Sequence, residues 1–221
     1  MDIKQAIEAR HSVRQYTEQP IAEDAVTELQ AFVDECNTQS GLNMQLKFGD
    51  NKGFSGIRGM LLKNVRNYLA IIGKNDASLE ELGGFWGERV VLKATQLGIG
   101  SCWFAMGVKK DLLKINKDEK LLIAIALGYA AKEGKAHSSK PLENLYHIED
   151  GSGTPEWFIV GVKAAQLAPT ATNQQKFKFT LMENSGVKAE SLGGAFSGID
   201  LGIVKCHFEI GAEPQNFTWV K

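Results

Sequence analysis

Cysteine is scarce in this sequence: Cys36, Cys102 and Cys206 are odd in number, scattered, and without a CxxC spacing. That excludes a disulfide framework and a sulfur-rich metal site, and it fits a reducing cytoplasm. Long apolar runs are missing too. The longest, 121–127, has the length of a strand and falls far short of the ~20 residues a membrane-spanning helix needs. The start, Met1-Asp2-Ile3-Lys4-Gln5, has no basic stretch followed by an apolar core, so no signal peptide is expected. Charge of one sign is also lacking, with 25 Lys plus Arg against 26 Asp plus Glu and a formal net charge of -1. Such a balance leaves no electrostatic footprint for duplex DNA or an anionic membrane. Proline is rare, at 5, whereas glycine is frequent, at 23. The remainder, 221 residues with 43% hydrophobic and 23% charged, is ordinary globular composition, sufficient for one full core or two small ones.

Periodicity outlines the elements. Ile3, Ala6 and Ile7 share one side of a short helix opened by Asp2 as N-cap. Val26, Leu29, Val33 and Cys36 give a second helix over roughly 22–37, and 44–48 alternates as a half-buried strand. After loop chemistry at 50–56, a helix is expected near 57–65 and a strand at 68–72. A long helix follows from about Ser78 to Leu97, broken or entered at Gly83-Gly84. Strands are expected at 102–105 and 121–127, and a loop or arm at 132–141. The run Asp150-Gly151-Ser152-Gly153-Thr154-Pro155 reads as a linker. Beyond it come a helix over 155–167, a turn at Ala168-Pro169-Thr170, a strand at 177–182, and a helix over 196–208.

The second part repeats pieces of the first. Gly83-Gly84-Phe85-Trp86-Gly87, ending at Leu97-Gly98-Ile99-Gly100, reads against Gly193-Gly194-Ala195-Phe196-Ser197, ending at Phe208-Glu209-Ile210-Gly211. Ser40 to Gln45, leading to Phe48, reads against Thr170 to Gln175, leading to Phe177. The matches keep their order and lie between the same kinds of element. They imply a partial internal duplication, with a first unit over 1–150 and a second, partial copy over 155–221.

Three stretches can carry chemistry. Arg10-His11-Ser12-Val13-Arg14 sets two guanidinium groups and a hydroxyl within five residues, which suits a phosphate cradle; a basic helix end satisfying its own carbonyls would look the same. Pro169-Thr170-Ala171-Thr172-Asn173-Gln174-Gln175 combines close backbone approach with uncharged hydrogen-bonding groups, as a heterocycle requires, or as a well-capped turn does. Gly98-Ile99-Gly100 offers backbone amides to a ligand, or a tight helix end. Trp86, Trp103, Trp157 and Trp219 read as core aromatics rather than substrate platforms, and His207 as a satisfied core histidine.

In order along the chain, Arg10-His11-Ser12-Val13-Arg14-Gln15-Tyr16, Leu97-Gly98-Ile99-Gly100-Ser101-Cys102-Trp103, Ile125-Ala126-Leu127-Gly128-Tyr129 and Lys140-Pro141-Leu142-Glu143 resemble the opening, central turn, closing strand and tail of the nitroreductase family of flavin-dependent oxidoreductases. The family's Ala-Pro-Ser-x-x-Asn turn, which normally follows the second helix, is degraded at 37–45 and well formed at 168–175. The resemblance implies an α+β fold: a mixed, mostly antiparallel sheet flanked by helices, in two unequal halves about a pseudo-twofold axis. It implies FMN as cofactor, NADH or NADPH as electron donor, and a small organic acceptor such as a nitroaromatic or quinone. Arg10, His11 and Ser12 would hold the FMN phosphate. Arg14 would face the pyrimidine end of the ring, where its charge favours the anionic reduced flavin. Pro169, Thr170 and Asn173 would line the ring from the second half, and Ile99 and Gly100 would lie near its reactive edge. Lys140 matches a basic position before the tail proline, with Lys135 and His137 as reserves, and Arg58 stands for a further contact. No protein acid, base or nucleophile is required. The family's site lies between two subunits, so a chain with both halves is expected to work as a cytoplasmic monomer. Other implied branches are flavin destruction, dehalogenation or dehydrogenation; the rival from another class is a flavin-binding storage or interaction protein without turnover.

Overall fold

A computed structural model of the chain describes residues 1–50, 62–105, 108–132, 134, 138–149 and 153–220. Helix α1 (Ile3–Ala9) is closed by a capping box: Gln5 N–H donates to Asp2 Oδ1 at 2.8 Å, and Asp2 N–H to Gln5 Oε1 at 2.9 Å. Helix α2 (Glu23–Ser40) has Glu23 and Asp24 in its first turn and ends on Gly41 at φ 72°, whose N–H returns to Asn37 O. It runs three residues past the expected end, because Ser40 and Thr38 hydroxyls donate back to the carbonyls of Cys36 and Asp34.

The first sheet contains β1 (Gln45–Lys47), β2 (Asn67–Lys74), β3 (Gly100–Phe104) and β4 (Glu119–Gly128) in the antiparallel order β1-β2-β4-β3. Residues 67–73 of β2 and 123–128 of β4 are buried, as continuous apolar central strands should be. The second sheet is mixed, in the order β5-β6-β7-β8, from β5 (Tyr146–Ile148), β6 (Phe177–Leu181), β7 (Gly186–Ser191) and β8 (Thr218–Val220). Only β6 and β7 are antiparallel there; β5 and β8 join the outer sides in parallel. The fold class follows the expectation, with two sheets in place of one.

Helix α3 (Leu79–Gln96) packs on the first sheet and against α5 (Ser197–Ala212), which packs in turn on α4 (Glu156–Gln166) and β7. Gly83-Gly84 does not break α3. The two glycines are approach points instead: a Cβ on Gly84 would sit 2.1 Å from Ile199 O, and one on Gly202 would sit 2.0 Å from Glu81 O. Helices α3 and α5 therefore touch backbone to backbone. One core cluster runs through both parts, from Leu29 and Val33 to Phe179 and Phe208. Trp157 stacks on Phe217 with centroids 5.8 Å apart, and Trp219 packs against Phe208 at 5.5 Å, so these two indoles are core aromatics. The helix expected near 57–65 falls partly outside the described residues, and 62–65 are not helical: Lys63 instead bridges Gln15 in parallel. Of the expected linker, Gly153 has φ 67° and Pro155 is extended as the N-cap of α4.

Candidate cofactor site

The segment after α1 is threaded along β3. Val13 N–H donates to Ser101 O at 2.8 Å, Lys63 N–H to Arg14 O at 2.9 Å, and the Tyr16 hydroxyl to Ala126 O at 3.3 Å. Gly100 makes this approach possible, since a Cβ there would meet Val13 Cγ2 at 2.7 Å. Residues 10–16 thus have a fixed register against the sheet.

The turn after α4 is strained and heavily bonded. Thr172, Asn173 and Gln175 have φ of 51°, 56° and 45°, a left-handed region that costs non-glycine residues about 1–3 kcal/mol each. The Asp200 carboxylate holds the turn from α5, accepting from Ala171 N–H at 3.0 and 3.1 Å and from Gln174 Nε2 at 2.7 Å. Gln175 N–H donates to Thr170 Oγ1 at 3.0 Å, and Asn173 Nδ2 to Ser138 O at 2.8 Å. Burial pushes the Asp200 carboxyl above its ordinary range, against the pull of the bonds from Gln174 and Ala171.

These two structures face each other. Ser12 and Arg14 meet Pro169 and Thr170 around a cavity of about 210 Å³. Phe104 and Ile123 from the first sheet and Ile203 from α5 supply apolar walls, Trp103 adds a half-buried indole, and Phe196 stands exposed at the margin. Among the described residues Arg14 forms no ion pair, while Asp200 on the far side is spent on the turn.

The other expected residues lie elsewhere. Arg10, His11, Ile99 and Gly100 surround a second, more open depression of about 400 Å³. The Ile99 N–H donates to Ala94 O at 2.8 Å and so closes α3. Arg10 is buried: its Nη2 donates to Leu167 O at 3.3 Å, and its Nε lies 3.9 Å from Glu88 Oε1. Desolvation lowers the Arg10 pKa, while the Glu88 charge opposes that shift. Asn173 points to Ser138 and does not line the cavity. Lys140 ties the tail to the turn, its N–H donating to Gln175 Oε1 at 2.8 Å and its Nζ to Gln175 O at 3.0 Å. Arg58, Lys135 and His137 lie outside the described residues.

Sequence reasoning missed Glu88, Asp200 and Phe196 and took Trp103 for core alone. The available signal was an isolated carboxylate within an apolar helical face, at Glu88 before Val90-Val91-Leu92 and at Asp200 between Ile199 and Leu201. His207 is the satisfied core histidine expected of it, fully buried with Ala164 O at 3.1 Å and Glu88 Oε1 at 2.9 Å.

The chain matches the protein family described as "Putative TM nitroreductase" over residues 2–212. It belongs to that nitroreductase family. Among solved structures, it is similar to a "putative nitroreductase" of Thermotoga maritima, at 24% identity and a TM-score of 0.63, covering 94% of this chain and 82% of that one. It is also similar to a Bacteroides thetaiotaomicron protein titled "Putative NADH dehydrogenase/NAD(P)H nitroreductase", at 16% identity and a TM-score of 0.53, over 65% of this chain and 95% of that one. A nitroreductase family protein of Streptococcus pneumoniae matches at 12% identity and a TM-score of 0.53, over 65% and 98%. At these identities the likeness shows the fold. No curated protein matches the chain. No helix among the described residues is long and apolar enough to cross a membrane, and none of them forms a cluster able to hold a metal ion.

Proposed function

We propose that the cavity binds FMN and that the protein is an NAD(P)H oxidoreductase reducing a small organic acceptor such as a nitroaromatic or a quinone. The observation that carries this reading is the meeting of Ser12 and Arg14 with Pro169 and Thr170 around one cavity. Its donor set suits a flat heterocycle: apolar walls, three hydroxyls and one unneutralised guanidinium. The phosphate end departs from the family pattern. Glu88 already opposes the charge of Arg10, which leaves His11 and Ser12 to receive the phosphate while Arg14 stays with the ring.

A bound flavin supplies the hydride chemistry. The chain's part is to bind, orient and keep out water. Arg14 brings positive charge to the cavity, Phe104, Ile123 and Ile203 exclude solvent, and Asp200 fixes the turn that presents Pro169 and Thr170. No side chain is assigned as acid, base or nucleophile.

The same reading takes 155–221 as a partial second copy that replaces a partner subunit, the chain acting as a cytoplasmic monomer. Among the described residues the element order supports it: helix, strand, strand, helix, strand occurs as α2-β1-β2-α3-β3 and again as α4-β6-β7-α5-β8. Helices α3 and α5 start at 79 and 197, and strands β3 and β8 at 100 and 218, the same separation each time. The contacts of Gly84 with Ile199 and of Gly202 with Glu81 are reciprocal. Two of the structural neighbours are matched nearly whole by about two thirds of this chain.

Stopped-flow spectroscopy of the purified chain with FMN tests the function. Bleaching of the flavin absorbance by NADH or NADPH, and its recovery on adding a nitroaromatic or quinone, is the expected result. Flavin that stays bound but is bleached by neither nucleotide would point to the storage role. A chain that binds no flavin would overturn the reading.

A further inference from the structure

We propose that Glu88 is the positioning residue of this site, a single buried carboxylate that fixes all sides of the cavity relative to one another. Glu88 lies in α3 and is fully buried. Its Oε2 accepts from Trp103 Nε1 at 2.8 Å, which anchors the indole of the cavity wall. The preceding residue makes room for that indole: a Cβ on Gly87 would stand 2.6 Å from Trp103 Cη2.

The other oxygen holds the remaining sides. Oε1 lies 2.9 Å from His207 Nε2 on α5 and 3.9 Å from Arg10 Nε. Arg10 opens the segment that carries Ser12 and Arg14, and its Nη2 donates to Leu167 O, two residues before Pro169. The second ring nitrogen of His207 faces Ala164 O in α4, the helix that leads into the same turn. The cavity's first segment, its indole wall, its ring-lining turn and its α5 face therefore converge on one carboxylate.

A buried charge is tolerated only while its partners keep their places, because an unpaired carboxylate in an apolar interior is heavily penalised. Displacing any of these elements would uncover Glu88. The arrangement also gives Arg10 an internal duty. Its guanidinium serves as a strut between Glu88 and the turn, so its loss should disturb the ring pocket as much as any anion site. Glu88 touches neither cavity nor ligand itself.

The flavin arm of the test rests on the function proposed above; the indole arm does not. In Glu88→Gln the amide oxygen can accept from Trp103 and the amide nitrogen can donate to His207, so the indole and α5 stay placed. In Glu88→Ala both anchors are gone. Trp103 emission, isolated by difference from Trp103→Phe, should shift to the red and quench about twofold more readily in Glu88→Ala, and riboflavin and FMN should both bind about tenfold more weakly. Glu88→Gln should restore the emission and bring riboflavin binding to within about threefold of the parent. A folded Glu88→Ala chain with parental emission and parental flavin affinities would overturn the proposal, as would a Glu88→Gln variant as impaired as Glu88→Ala. Should Glu88→Ala fail to fold, Glu88→Asp keeps the charge one methylene short; parental Trp103 emission there would overturn it, and a shifted emission would support it. If the parent binds neither flavin, the proposed function fails and the emission alone decides for or against Glu88.

Discussion

Arg14 and Asp200 face one cavity with opposite formal charges, and their surroundings make them unequal. Arg14 is exposed at its edge and, among the described residues, its guanidinium bonds only to Ser12 O at 3.4 Å, so its charge is available to a ligand. A charge-assisted hydrogen bond contributes about 1.5–3 kcal/mol, so Arg14→Gln should weaken FMN binding at least about tenfold and lower the flavin's midpoint potential. Titration and spectroelectrochemistry read both; an unchanged affinity would remove Arg14 from the site. Asp200 answers to pH instead. Its raised value means that the folded state keeps a proton that an unfolded aspartate releases near ~3.9. Its contribution is full below that pH and is lost as pH rises through the folded value. Asp200→Asn cannot ionise, so its stability relative to the parent should climb from about pH 4 toward neutrality. Urea midpoints that keep a constant difference across that range would contradict it. Ser12, Arg14, Pro169 and Thr170 were legible in the sequence because distinctive side chains in turns advertise themselves. Glu88 and Asp200 were not, since their partners lie far away in sequence and a single acid in a helix resembles a solvated position. Arg10 was recognised as special, but its carboxylate partner was invisible until the helices packed.

Helices were easier to read than strands. The 3.6-residue period located α1 to α5 within a few residues, whereas β5, β7 and β8 escaped notice. Strands of 3, 6 and 3 residues carry too little alternation, and β5 and β8 become strands only by joining the outer sides of a sheet assembled from elsewhere. The glycine pair in α3 was read as a possible break because glycine lowers helix propensity. Its real determinant is the partner helix. Gly84→Ala places a methyl against the Ile199 carbonyl, a backbone group that cannot rotate away, and should cost about 3 kcal/mol, the upper end of ordinary overpacking. A denaturant midpoint equal to the parent's would show that α3 and α5 do not need their close approach.

At the scale of the molecule, the two turns proposed as half-sites are not equivalent. The turn at 169–175 opens onto a cavity, whereas its counterpart at 40–45 is closed upon itself. Leu42 is buried against Gly73, Asn43 Nδ2 donates to Lys114 O and Glu119 Oε2, both at 2.9 Å, and Gln45 Nε2 donates to Lys114 O at 2.6 Å. These bonds tie the first turn to the loop at 114–119. The order of motifs, with the well-formed turn displaced to the second part, made this asymmetry readable from the sequence; the closure of the first turn depends on the loop at 114–119 and was not. One chain should therefore hold one flavin, and separating the parts near 150–155 should release it, because Pro169 and Thr170 would leave with the second piece. Joining the half-sites in one chain also makes their meeting independent of concentration. Native mass spectrometry of the purified chain supplied with FMN measures this directly. The expected species is one chain with one FMN, persisting on dilution. A chain that carries no flavin, or an obligate dimer with two, would contradict the account.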